Sequence, residues 1–178
     1  MPAIMCTRKL QEALARGGQL WAATGRPRAS GPGRLGHWAA TLVTEKRRSL
    51  VALEDRTRLT LVVPFLPIED LHRRFADALR RALRRLGVRR GLVEVECAQV
   101  ECARVVRLRN RKTSRDLAFA EFETACHGDD QDDESIEDML NSYPYPDTDP
   151  EGATVAVRTI FRVGRTGRER DRGAGAPG

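Results

Sequence analysis

Ile68, Leu71, Phe75, Leu79, Ala82, Leu83 and Leu86 recur at the helical period, and Arg73, Arg74, Asp77, Arg80, Arg81, Arg84 and Arg85 fall on the opposite side. This pattern predicts a helix with one apolar stripe and one solvated face. Pro67 stands where a helix opens, Glu69 and Asp70 follow in its first turn, and Gly87 ends it. The stripe has to bury against a partner, and the residues before it supply one with a period of two. Trp38, Ala40, Leu42 and Thr44 alternate with Ala39, Thr41 and Val43, and a polar turn Glu45-Lys46-Arg47-Arg48 follows. Ser49–Leu53 and Thr57–Val63 read as two further strands, separated by Glu54-Asp55-Arg56. Turns this short favour an antiparallel meander.

The remaining chain fills in around that unit. Ala3–Cys6 reads as a short strand, and Thr7 as the cap of a helix that carries Leu10 and Leu14 on one face. Leu92–Ala103 fits both periods, with a helix preferred, and a strand is expected at Arg104–Arg109. Thr113 with Asp116, and Ser135 with Asp138, have the spacing of capping boxes before two helices, one containing Leu117, Phe119, Phe122 and Cys126, the other Met139 and Leu140. Val155, Val157, Thr159, Phe161 and Val163 alternate with Arg158 and Arg162, which predicts a last strand. The fold expected is α+β: an antiparallel meander sheet covered on one face by an amphipathic Arg-rich helix and shorter helices.

With 178 residues and 40% hydrophobic content, the chain suits a single domain. That domain is expected over residues 1–163, with a mobile loop at 24–36 and an acidic loop at 127–135. A Gly- and Arg-rich tail at 164–178 reads as disordered. Met1–Leu14 lacks a continuous apolar run, and Leu59–Ile68, the most apolar stretch, is interrupted by Pro64 and Pro67. No membrane span is expected, and the chain reads as cytoplasmic. Cys6, Cys97, Cys102 and Cys126 are then expected to be reduced and mostly buried.

Charge is segregated along this chain. Asp116–Glu151 holds thirteen acidic side chains and no Lys or Arg, whereas Ile68–Arg115 holds fourteen basic residues against six acidic ones. The net charge of +6 conceals that division. A basic surface in such a protein competes with the polyanion that the same chain provides.

Motif spacings add little chemistry. Gly31-Pro32-Gly33-Arg34-Leu35-Gly36 matches a dinucleotide-binding spacing by letter, but a strand is expected after it, so no helix N-terminus would face a pyrophosphate. Cys97 and Cys102 are too far apart in sequence for paired zinc ligands, and the acidic run Asp129–Glu134 lacks the central Gly and closing Glu of a calcium loop. No Ser, Thr or Cys has the local context of an activated nucleophile. The reading therefore assigns no catalytic residue, no metal and no cofactor, and leans away from an enzyme.

Several pieces resemble a small family of uncharacterised bacterial proteins, a domain of unknown function. They are Cys6-Thr7-Arg8-Lys9-Leu10, Trp38-Ala39-Ala40-Thr41-Leu42, Lys46-Arg47-Arg48, Thr57–Pro64 and Arg111-Lys112-Thr113-Ser114-Arg115. Members of that family open with a Cys-Thr-Lys-Lys-Leu-like start and carry a Trp-His-Ala-Asn-Leu-like strand. The resemblance spans Ile4–Phe122 and extends to the Leu140–Pro144 ending. Ala39 and Thr41 stand where the family commonly has His and Asn. The resemblance implies a compact α+β domain and transfers no active site.

The function expected is a non-enzymatic binding or regulatory module of the bacterial cytoplasm. Its contact face would be Arg73, Arg80, Arg81, Arg84 and Arg85, and its partner a nucleic acid or an acidic protein surface. Two alternatives stand beside it: a hydrolase or transferase with a pocket that the sequence does not display, and an interaction module that uses the acidic segment.

Overall fold

Leu42 pairs with Leu50 and Leu50 with Val63, on one face of the sheet, while Thr41, Val51 and Val62 line up on the other. These are the central rungs of the expected meander, formed by β2 (Trp38–Val43), β3 (Ser49–Glu54) and β4 (Thr60–Pro64). The computed structural model describes residues 2–17, 33–45, 48–127, 131–145 and 152–162. Most of the expected loop at 24–36, part of the acidic loop at 127–135 and the tail at 164–178 lie outside them.

The sheet is mixed rather than a pure antiparallel meander. β1 (Ala3–Cys6) lies parallel to β2 on one side and to β5 (Arg104–Arg107) on the other, giving the order β4-β3-β2-β1-β5 among the described residues. Parallel neighbours need crossover connections. Helix α1 (Arg8–Arg16) leads from β1 toward β2, and α2 (Leu71–Arg85) with α3 (Arg90–Glu101) leads from β4 to β5. Short turns join only β2, β3 and β4 among the described strands.

Coverage of the sheet also differs from expectation, because both faces are buried. Trp38, Ala40, Leu42, Leu50, Ala52, Leu61 and Val63 pack with α1, α2, α3 and α6 (Ala153–Phe161). Ala39, Val43, Val51, Leu53 and Val62 pack with Leu117 and Ala120 of α4 (Arg111–His127) and with Ile136 and Leu140 of α5 (Asp133–Ser142). Both residue sets along β2 and β3 are apolar or small, as a doubly covered sheet requires.

The helix predicted from the apolar stripe forms as α2, preceded by a 3₁₀ turn at Ile68–Asp70 that follows Pro67. It ends in a Schellman motif. Gly87 takes φ 80°, its amide donates to the Arg84 carbonyl, and the Val88 amide donates to the Leu83 carbonyl. Leu71, Phe75, Leu79 and Leu83 are fully buried, and Phe75 meets the Trp38 ring edge-on at 5.2 Å.

Three local expectations are corrected. Val155–Phe161, read as part of a last strand, lie in α6, because Ala153, Val157 and Phe161 are spaced four apart and all three are buried; Val163 lies outside the described residues. The alternation of Val155, Val157 and Thr159 is incidental to that helical stripe. Thr113 does not cap α4: it lies buried inside the helix, and Asn110 Oδ1 accepts from the Lys112 and Thr113 amides instead. Asp132 rather than Ser135 caps α5, accepting from the Ser135 amide at 2.7 Å.

Candidate functional site

The arginines of α2 are largely engaged with carboxylates. Arg80 pairs with Asp77 and, at 3.3 Å, with Glu94 of α3, which also takes Arg84 at 3.3 Å. Glu94 is held below the ordinary carboxyl range, chiefly by its hydrogen bond from Arg80. Arg85 reaches Glu134, Glu137 and Asp138 of α5. Arg73 makes only a loose, exposed contact with Asp70 at 3.8 Å, and Arg81 is exposed. Part of the acidic block thus lies against the basic helix, and α3 supplies a further acid.

Helix α5 also closes one edge of the sheet. Glu137 accepts from the Val62 amide at 2.9 Å, while Asn141 accepts from the Thr60 amide at 2.7 Å and donates to the Thr60 carbonyl at 3.0 Å. Glu137 and Asn141 are one helical turn apart, so successive outward-facing groups of β4 are met by successive side chains. Burial raises the Glu137 carboxyl to about 7, against the opposing effects of the Val62 amide, Arg85 and Arg81.

The opposite edge has a different character. Among the described residues β5 pairs with β1 alone, and Arg104, Val106 and Arg107 are exposed. The Leu108 amide donates to the Cys6 carbonyl at 2.9 Å, so strand alternation turns the backbone groups of Val105 and Arg107 outward. Arg104, Arg107, Arg109 and Arg111 are all exposed, and none makes an ion pair among the described residues. They fall in the strand expected at Arg104–Arg109 and at the start of α4, outside the arginine face of α2. Their signal was four arginines within eight residues at an edge strand.

At the carboxyl ends of β1 and β2, Lys9 Nζ lies 3.2 Å from Glu121 Oε1, and Thr41 Oγ1 donates to Glu121 Oε2 at 2.9 Å. Thr41 and Thr7 share a hydrogen bond of 3.1 Å, and Thr7 caps α1. Thr7 and Lys9 belong to a piece that carried the family resemblance, and Thr41 stands where the family commonly has Asn. Crevices beyond the carboxyl ends of parallel strands are common ligand sites. Here the polar groups satisfy one another.

Gly33 and Gly36 of the dinucleotide-like spacing have a structural use, while Gly31 lies outside the described residues. Glu96 accepts from the Arg34 amide at 2.5 Å and the Leu35 amide at 3.3 Å, and Glu54 accepts from the Gly36 amide at 2.5 Å. A Cβ at Gly33 would lie 2.9 Å from Glu96, and one at Gly36 would lie 2.8 Å from Glu54. Glycine lets the backbone approach two buried carboxylates, whose pKa values are raised mainly by desolvation. A strand, β2, follows.

Other reactive groups are dispersed. Burial pushes the Cys6 and Cys97 thiols up to about 12, while Cys126 is exposed. His37 Nδ1 accepts from the Ala3 amide at 3.0 Å, His127 sits 3.5 Å from Glu123, and His72 lies on α2. Among the described residues, no group of three or more His, Cys, Asp and Glu side chains is placed to hold a metal ion. Nor is any helix there long and apolar enough to cross a membrane.

Fold and surface define an α+β domain with a doubly covered mixed sheet, one edge closed by an acidic helix and the other bordered by arginines. The chain belongs to the family described as Domain of unknown function (DUF6933), whose model matches residues 3–153. No curated protein and no solved structure matches it.

Proposed function

We propose that this protein is a binding module that takes an extended acidic segment of a partner protein along the β5 edge. The carrying observation is the contrast between two sets of arginines. Arg80, Arg84 and Arg85 have acidic neighbours within the fold, whereas Arg104, Arg107, Arg109 and Arg111 form no ion pair among the described residues. Unscreened arginines beside unpaired strand groups suit an added strand with carboxylate side chains: the backbone contributes affinity and the charges contribute register. Within the chain, the acids of α5 sit at the β4 edge, four strands away or about 19 Å. They cannot serve that role in the same molecule.

A fluorescent peptide of alternating Glu and Val, titrated into the full chain, tests this reading. Arg104→Gln with Arg107→Gln should weaken binding at low salt by about tenfold. Arg107→Pro, which also removes an outward amide, should weaken it beyond Arg107→Gln. Binding of duplex or single-stranded DNA in preference to the peptide, insensitive to Arg107→Pro, would favour a nucleic acid and reject strand addition. No binding of either would reject the basic edge as a contact surface.

A further inference from the structure

A second candidate site lies on the other side of β2, independent of the strand edge. A cleft of about 360 Å³ opens between the carboxyl end of α1, the end of β2 and the segment leading from β4 into the 3₁₀ turn. Its floor is apolar: Ala13, Leu42 and Phe65 are buried core residues whose side chains also line it. Leu66, half exposed, and Ile68 form one wall. Arg16 and Arg48 also line the cleft, both exposed to solvent, with no ion pair among the described residues. Arg16 Nε donates to the Glu12 carbonyl at 3.2 Å, which leaves its terminal nitrogens available. Among the described residues no carboxylate lines the cleft, and Thr44 is the other polar side chain there.

From this arrangement we infer that the cleft binds a small amphipathic anion, a carboxylate on an apolar body such as a medium-chain acyl group. The volume falls within the range of small-molecule sites, roughly 300–1,000 Å³. An apolar floor without charged groups would select only for hydrophobicity. Two guanidinium groups in the lining add selection for sign, because each presents paired donors suited to a carboxylate. The negative end of the α1 dipole also faces this region and would repel an anion, so the two arginines have to outweigh it. Both are exposed, so the empty cleft carries no buried, unpaired charge.

Titration of the full chain with octanoate, followed by amide chemical shifts, tests the site. Saturable shifts are expected at Ala13, Gly17, Leu42, Thr44 and Leu66. The double variant Arg16→Gln with Arg48→Gln, both on exposed positions, should fold with an unchanged melting temperature and bind octanoate about tenfold more weakly. Octanol should bind both forms within about twofold of one another, and octylamine should give no saturable shifts there. Absence of saturable octanoate shifts, shifts centred elsewhere, or equal affinity in the double variant would each overturn the inference. Equal affinity together with octanol binding as tight as octanoate would show an apolar cleft without anion selection.

Discussion

Arg85 and Glu137 meet at 3.1 Å between α2 and α5, and Glu137 Oε1 accepts the outward amide of Val62 at 2.9 Å. One buried carboxylate thus links the basic helix, the acidic helix and an edge strand. Charge segregation in the sequence becomes, at this point, a contact within the fold. Only 3% of the Glu137 side chain is exposed, against 59% for Glu134 and 71% for Asp138, its fellow partners of Arg85.

That difference ranks the three pairs. Arg85→Ala removes the countercharge of a buried group and should cost about 1–3 kcal/mol. Glu134→Gln and Asp138→Asn affect solvent-screened pairs and should cost about 0.5 kcal/mol or less each. Urea denaturation of the three variants checks the order. Equal losses would mean that burial of Glu137 does not set the strength of the contact.

Gly36→Ala tests the clamp on the segment before β2. The new Cβ would stand 2.5 Å from Asp55 Oδ1 and 2.8 Å from Glu54 Oε1. Glu54 is held by the Thr57 amide at 2.6 Å and the Thr57 hydroxyl at 2.7 Å, so it has little room to retreat. The substitution should cost about 1–3 kcal/mol. The same change at Gly91, where a Cβ would meet nothing within 4 Å, should be neutral or stabilising, since alanine favours a helix. Thermal melts of the two variants should shift in opposite directions or at least diverge clearly.

What the sequence displayed depended on whether a pattern was local. The stripe from Leu71 to Leu83 and the turn-linked strands β2 to β4 follow from periods and turn lengths, although β4 begins at Thr60, three residues after its expected start at Thr57. β1 has four residues, too few to announce partners, and its parallel pairing with β5 joins positions roughly a hundred residues apart. The segment that became α6 satisfied two periods at once, and only the packing of Val157 and Phe161 into the core chose between them. Arg58 shows the limit most clearly. It takes φ 61° and buries its guanidinium against Asp116 at 3.1 Å, a pairing across the fold with no cue in either residue's neighbours. The α2 arginines were conspicuous as a face and Asp77 is a local partner of Arg80, yet Glu94, Glu134, Glu137 and Asp138 lie on α3 and α5, beyond any local pattern.

Asn141 offers a test of edge protection. Replacing it with Leu keeps a side chain of similar size on α5 but leaves the buried Thr60 amide and carbonyl without their partners. Each lost bond should cost about 1–3 kcal/mol. The β4 edge would also become available to another chain, so the variant should self-associate at concentrations where the parent does not. Light scattering over a dilution series reads this directly. A destabilised variant whose scattering matches the parent would assign Asn141 a role in stability alone.

The Glu137 carboxyl gives a pH dependence with a defined sign. Burial raises it from the ordinary 4.5 to about 7 in the folded protein. Between those two values the folded state holds a proton that the unfolded state has released, so the stability contributed by this group falls as pH rises. Below about 4.5 both states are protonated, above about 7 both are ionised, and the contribution is constant in each range. The whole change amounts to about 3 kcal/mol as an upper bound, at roughly 1.4 kcal/mol per pH unit. Glu137→Gln fixes the neutral form and removes this term, while the carboxyls of Glu54 and Glu96, raised in the same direction, continue to titrate in both proteins. The stability of the parent relative to Glu137→Gln should therefore decline from pH 4.5 to pH 7 and level off beyond it. Parallel stability profiles for the two proteins would show that Arg85 and the Val62 amide hold the carboxylate ionised throughout.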